Sequence, residues 1–326
     1  METQQKRLHR LKRYWQRQAR SAWGADYQPA NRATRNEAPS RSRPTILCKK
    51  NKIGRELHAM SGQELAGILL AIYFPQLFDL NEQRILYPSA MTHPLFGHPQ
   101  FPGMQLPPFK GTLAVAEALG YLQWHATVSW RSESGEQHDA PMPFVGDLLL
   151  FLVDGRGPYC LNWSIKKSAE DFSRPGPADL PIRNPERAQA KAIARHAIEV
   201  GYYNDPEIRT VSLAGDSLDP QMISNLLQCF SWQARKSFVS ETLERKALTV
   251  LQSSANHSSD TPTEIARHFL LRHRLWPEIF NSLMYSLIWS RQLRVDLFQP
   301  ILRDRPLVSE SRDVLSVHGN LFGREG

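Results

Sequence analysis

An apolar run, LLLFLV at residues 148–153, constrains the fold of this chain more than any other feature. The run is apolar at odd and even positions alike, so a strand made from it must be buried on both faces, as in the interior of a sheet. The tetrapeptide at 154–157, Asp-Gly-Arg-Gly, is typical of a tight turn, and residues 158–166 suit a returning strand. We therefore expect a central hairpin inside a sheet.

The pattern around this hairpin predicts an α/β fold. Helical periodicity covers residues 61–74, 112–119 and 185–200, and strands are predicted at 84–87, 121–130, 144–153 and 208–214. Residues 57–217 are expected to form this domain. Residues 218–326 are expected to form a mainly helical domain, because helices at 261–272 and 276–291 precede a short strand at 293–297, which is the order of a winged-helix module.

Positive charge is concentrated in residues 1–56, which we expect to form a basic arm. This segment has a net charge of +11, whereas the whole chain has +8. Such an imbalance favours a polyanionic partner, although a solvated arm would show the same composition. Aromatic residues lie among the charges and could stack on nucleic-acid bases: Tyr14, Trp15, Trp23 and Tyr27. A helix is predicted at residues 6–20.

The hairpin brings a carboxylate and a lysine together. If pairing is symmetric about the turn, Asp147 lies opposite Ser164, and Lys166 lies two residues further along the same face. A carboxylate at the end of a buried strand is costly unless it meets a cation. With a second carboxylate, this arrangement suits Mg²⁺-dependent phosphodiester hydrolysis, in which the lysine stabilises charge on the phosphate.

Glu64 is the candidate for the second carboxylate. It follows Ser61 in the pattern Ser-x-x-Glu, which is also a helix capping box. From the residues alone, the cap and the catalytic role both remain open.

An ordered series of segments resembles the TnsA family, the endonuclease subunits of heteromeric transposases. The series comprises GADYQP at 24–29, KIGRELH at 52–58, SGQEL at 61–65, NEQ at 81–83, the hairpin from Asp147 to Lys166, and the later helix and strand at 186–214. The resemblance implies a restriction-endonuclease-like nuclease fold in residues 57–217. It also implies catalytic roles for Glu64, Asp147 and Lys166.

The resemblance further implies a metal site and partners. Glu64, Asp147 and the Ile165 backbone carbonyl would bind Mg²⁺, or Mn²⁺ in its place. The chain would cut the 5′ strands at transposon ends beside a TnsB-like transposase that makes the 3′ cuts. A TnsC-like AAA+ ATPase would bind the C-terminal domain. Cytoplasmic, nucleoid-associated localisation without membrane contact is expected, in keeping with three widely spaced cysteines.

One departure from the family keeps a second function open. Ser164 stands two residues before the lysine, where the family has glutamine. The alternative is a catalytically weakened or inactive subunit that acts as a DNA-binding scaffold. In both cases we expect DNA contacts from the basic segment, through Lys6, Arg7, Arg10, Lys12, Arg13, Arg17, Arg20, Lys49, Lys50, Lys52 and Arg55.

Overall fold

The apolar run lies in the middle of a four-stranded sheet. In the computed structural model, which describes residues 4–39, 42–132, 134–173, 184–235, 238–257 and 260–325, the chain divides into two compact units. The first unit comprises residues 1–68, 76–217 and 324–326, and the second comprises residues 69–75 and 218–323. None of the described helices has both the length and the apolar character needed to cross a membrane.

The strands of the described residues belong to the first unit. In chain order they are β1 (Thr45–Leu47), β2 (Leu57–Ala59), β3 (Leu77–Glu82), β4 (Ile85–Leu86), β5 (Thr127–Arg131), β6 (Gln137–Pro141), β7 (Phe144–Val145), β8 (Leu148–Asp154), β9 (Gly157–Lys166) and β10 (Arg209–Ala214). The four-stranded sheet has the order β10-β9-β8-β3; β10 is parallel to β9, and the other neighbours are antiparallel. Two-stranded sheets pair β1 with β2, β4 with β7 and β5 with β6. The α/β class expected from the sequence is confirmed.

The central hairpin has the predicted register. Asp154 pairs with Gly157 across the turn, and Leu148 pairs with Trp163. Side chains 148–152 are at most 1% exposed, as a strand buried on both faces requires. The strand predicted over 144–153 is nevertheless interrupted, because β7 ends at Val145 and β8 begins at Leu148. Asp147 lies in this interruption.

Helices cover both faces of the sheet. The first unit contains α1 (Gln4–Gln18), α3 (Thr112–Ala118) and α4 (Pro185–Asn204), and α2 (Gly62–Tyr73) begins in it. A Cβ atom on Gly67 of α2 would lie 2.7 Å from Ile165 Cδ1, so this helix approaches β9 closely. On the opposite face, Tyr202 and Tyr203 of α4 pack in one cluster with Leu149. Helix α2 and the C-terminal end of α4 thus pack on opposite faces of the β8–β9 hairpin.

The predicted N-terminal helix exists, but it is not part of an arm outside the folded domain. Leu11 and Tyr14 of α1 are buried in a cluster with Ile85. The Gln18 side-chain amide donates to the Gln83 carbonyl at 3.1 Å, and its Oε1 accepts from the Ile85 amide at 2.8 Å. The expectation of a separate arm is therefore corrected: α1 contributes to the core of the first unit.

The second unit is mainly helical. Its helices are α5 (Pro220–Gln233), α6 (Glu241–His257), α7 (Pro262–His273), α8 (Pro277–Trp289) and the single turn α9 (Val314–Val317). Helix α8 buries Phe280, Leu283 and Leu287 completely, so it is a core helix of this unit. The strand predicted at 293–297 is reduced to an isolated antiparallel bridge between Val295 and Ser309.

Candidate active site

Asp147 lies where two small sheets separate. The Gly146 amide donates to the Arg84 carbonyl at 2.8 Å, and the Gln83 amide donates to the Asp147 carbonyl at 3.0 Å. These bonds fix the backbone on both sides of the carboxylate. Because Leu148 pairs with Trp163, Asp147 lies opposite Ser164, as the sequence predicts.

The Asp147 carboxylate is bound from β9. Its Oδ2 accepts the Ile165 amide at 2.6 Å and the Lys166 ammonium at 3.2 Å. The Lys166 Nζ also donates to the Ile165 carbonyl at 3.0 Å. Lys167 is exposed, and it is Lys166 that pairs with Asp147. One carboxylate, one ammonium and one carbonyl oxygen therefore meet at the end of the hairpin.

Glu64 combines a capping role with a place at this site. The Glu64 amide donates to Ser61 Oγ at 3.1 Å, as in a capping box, while its carboxylate accepts the Met60 amide at 3.0 Å. The Gln83 side chain donates to the same carboxylate oxygen at 3.2 Å. Burial raises the pKa of Glu64 to about 8, and the negative charge of Asp147 contributes to that rise. Glu64 therefore caps α2 and still interacts electrostatically with Asp147.

Gln83 adopts an unusual backbone conformation. Its φ is +52°, in the left-handed region that residues other than glycine rarely occupy. The bend ends β3 and aims the side chain at Glu64, while Asn31 donates to Gln83 Oε1 at 3.3 Å. In the sequence, Gln83 stands out only as part of the NEQ segment at 81–83. The structure places it in direct contact with a candidate catalytic residue.

A third acidic residue, Glu199, was missed from the sequence. It is buried on α4, where it accepts the Asn162 amide at 3.1 Å and the Ser164 hydroxyl at 3.4 Å. Burial and the charge of Asp147 both raise the pKa of Glu199. Ser164, the residue that departs from the family pattern, thus contacts a carboxylate supplied by a helix. Only the unusual position of a glutamate among apolar residues of α4 could have indicated this.

The charges at the site fit a divalent cation. Glu64 and Asp147 place two carboxyl groups at a site with one ammonium group, and burial together with the charge of Asp147 raises the pKa of Glu64. Among the described residues, no group of three or more His, Cys, Asp or Glu side chains could hold a metal ion. Mg²⁺ is commonly bound by one or two carboxylates together with water and substrate phosphates. The two carboxylates and the Ile165 carbonyl match that donor set.

The expected DNA-binding residues fall into two groups. The side chains of Lys6, Lys12, Arg20, Lys49, Lys50 and Lys52 are exposed, and those of Arg7 and Arg10 are half-buried. Arg17 bonds Glu37 at 2.7 and 2.9 Å, and Arg13 bonds Asn31 at 3.0 Å. These two side chains stabilise the fold of the segment.

Arg55 has to be removed from the DNA-binding set. Its guanidinium is buried and bonds both carboxylate oxygens of Glu82, at 2.7 and 2.6 Å. A buried, paired arginine cannot reach a phosphate without breaking that ion pair.

The aromatic residues of the basic segment are also structural. Tyr14 and Tyr27 are 4% exposed, and Trp15 and Trp23 pack against core clusters. The prediction that they stack on bases is therefore wrong for Tyr14 and Tyr27, and it stays a prediction for the half-buried Trp15 and Trp23. Interleaving of aromatic and basic residues reflected an amphipathic helix and its partner segment.

No known protein-family model matches the sequence, and no curated protein matches it. Function is therefore inferred from the geometry of the site.

Proposed function

We propose that this chain is a metal-dependent DNA endonuclease subunit of a heteromeric transposase, which cuts the 5′ strands at transposon ends. The observation that carries the proposal is the ion pair of Asp147 and Lys166 at one end of a buried hairpin, with Lys166 Nζ 3.2 Å from Asp147 Oδ2, together with the electrostatic interaction of the buried Glu64 with both groups. In this proposal the first unit has a restriction-endonuclease-like fold and the second a winged-helix-like one. A TnsB-like transposase and a TnsC-like ATPase are the proposed partners.

Each residue has a distinct task in this reaction. Glu64, Asp147 and the Ile165 carbonyl would hold Mg²⁺ or Mn²⁺, which when bound polarises a phosphate and makes water a better nucleophile. Lys166 provides a positive charge for the phosphate oxygens as negative charge builds on them. The Ile165 amide orients the Asp147 carboxylate through its 2.6 Å bond. Gln83 orients the Glu64 carboxylate in the same way.

The alternative is a DNA-binding scaffold without nuclease activity. Ser164 is the observation that favours it, because no carboxylate or amide side chain extends from that position of β9. Glu199 partly offsets this argument, since its carboxylate reaches Ser164 from α4. A direct measurement of strand cleavage distinguishes the two functions, because the endonuclease cuts DNA and the scaffold does not.

The test combines the purified protein with its cognate transposase on end-labelled transposon DNA in Mg²⁺. Asp147→Ala should abolish 5′-strand cutting and leave the partner's 3′ cuts and DNA binding intact, because it removes a proposed metal ligand and no DNA contact. Lys167→Ala is a matched control from the neighbouring exposed position. Normal 5′ cutting by the Asp147→Ala protein would exclude the proposed site, and failure of the wild-type protein to cut would favour the scaffold.

A further inference from the structure

Helix α4 carries a line of basic side chains on its exposed surface. Arg187, Lys191 and Arg195 follow one another at four-residue intervals, and all three side chains are exposed. Residues four apart lie on the same side of a helix, about 6 Å apart along its axis. We call these three residues the α4 stripe. It is distinct from the N-terminal basic segment considered above.

One end of the α4 stripe reaches the candidate active site. The Arg195 guanidinium donates to the Val145 carbonyl at 3.2 Å, two residues before Asp147. His196, the next residue, has its Nε2 3.4 Å from Ser212 Oγ and rests on the Phe172 ring. The Lys166 ammonium lies 5.9 Å from the centre of that same ring. The α4 stripe therefore ends beside the strand that leads to Asp147, and the next residue of α4 shares an aromatic contact with Lys166.

The α4 stripe supplies positive charge beside a site that has little of its own. The Lys166 ammonium is already paired with Asp147, and the buried Glu64 and Glu199 carboxyl groups add no positive charge, so the site itself offers little positive charge to a phosphodiester. Fixed positive charge beside such a site raises the local concentration of an anionic substrate. The basic residues of α1 are less suited to this task, since Arg13 and Arg17 bond other side chains.

We propose that the α4 stripe is the surface on which the phosphate backbone of the DNA lies as it approaches the scissile position. This assignment rests on the proposed function, because it takes the polyanion at the site to be DNA. Arg187 and Lys191 contact flanking phosphates, and Arg195 adjoins the reacting one. The contacts are to phosphate, so they strengthen binding to any duplex and do not select a sequence.

The experiment measures DNA binding by the full-length protein without a divalent cation. The variant is Arg187→Ala/Lys191→Ala, which leaves Arg195 and its bond to Val145 in place. Affinity for a labelled duplex is measured by fluorescence anisotropy over a series of salt concentrations, for a transposon-end sequence and for an unrelated one. Loss of two phosphate contacts should reduce the slope of log affinity against log salt by about 1.8, equally for both sequences.

A control variant distinguishes the loss of charge at the α4 stripe from the loss of the same charge elsewhere on the protein. Arg303→Ala/Arg305→Ala removes the same charge from exposed positions of the second unit. It should leave the slope unchanged, and thermal melts should show that both variants are folded. An unchanged slope in the α4 variant, or an equal change in the control, would overturn the proposal.

The readout separates this inference from the proposed nuclease activity. If the wild-type protein cuts DNA and the α4 variant has normal affinity and a normal salt slope, the proposed role of the α4 stripe is overturned. The nuclease proposal then stays intact. A protein that never cuts but loses salt-dependent affinity in the α4 variant would support the stripe as part of a scaffold.

Discussion

At the scale of single residues, the protonation of Glu64 links the site to pH. Its pKa is raised from 4.5 to about 8 by burial and by the charge of Asp147. Between those pH values the folded protein holds a proton that the unfolded chain has lost. The free energy of unfolding should therefore fall as pH rises through this range when no divalent cation is present.

This protonation predicts how metal affinity depends on pH. A carboxylate must be deprotonated to bind a cation, so Mg²⁺ binding should release a proton and tighten by up to about tenfold per pH unit below about pH 8. Isothermal titration in buffers with different heats of ionisation measures both quantities. Glu64→Gln should bind more weakly and lose most of the pH dependence. The same dependence in that variant would assign the proton to another group.

Glu199 is a second buried acid whose state can be tested. Because burial and Asp147 raise its pKa, glutamine should mimic its protonated form and leave stability nearly unchanged. Glu199→Ala should cost about 1–3 kcal/mol, since it removes the carboxylate that accepts hydrogen bonds from the buried Asn162 and Ser164 side chains. Urea unfolding at neutral pH measures both variants. Equal destabilisation by glutamine and alanine would show that the ionised form is the one the fold requires.

At the scale of elements, the sequence predicts secondary structure where the determining contacts are local. The β8–β9 hairpin was predicted from an apolar run and an adjacent turn, and helices α2 and α4 from periodicity with clear ends. Strands β1, β2 and β6 were missed, whereas β5 lies largely within the strand predicted over 121–130. β1 and β2 are only three residues long, and the side chains of β6 are all exposed or half-buried, so none of these strands shows the pattern of a long buried strand.

The interruption between β7 and β8 at Asp147 is a feature that the sequence pattern does not predict. Residues 144–153 look like one strand, yet the chain changes partner from β4 to β3 within it. The bend at Gln83 on the opposite segment causes this change and brings Gln83 to Glu64. Gln18 of α1 holds the same bend from a distance of 65 positions in the chain. Such contacts between residues far apart in the chain position the site, and they produce no pattern in the local sequence.

At the scale of the whole molecule, the N-terminal positive charges divide into those that bond other groups of the protein and those that are exposed. Part of the N-terminal positive charge is used internally. Burial would raise the pKa of Glu37, but the hydrogen bonds and charge of Arg17, with the Arg32 amide, lower it to about 2. Deleting the segment would therefore remove core residues such as Leu11 along with the charges. Its contribution to DNA binding has to be tested by substitution.

Lys12 and Arg20 allow that test, because both side chains are exposed while Leu11, Tyr14 and Gln18 of the same segment are buried. If the N-terminal charges contact the same duplex as the α4 stripe, Lys12→Ala/Arg20→Ala should reduce the salt slope by about 1.8 without lowering the melting temperature. Combining it with Arg187→Ala/Lys191→Ala should then reduce the slope by about 3.6, because phosphate contacts at separate positions release separate counterions. Anisotropy titrations of the four proteins on one duplex measure this additivity. A normal slope for Lys12→Ala/Arg20→Ala would show that these exposed charges do not face DNA, and would direct the search towards an acidic surface on a partner protein.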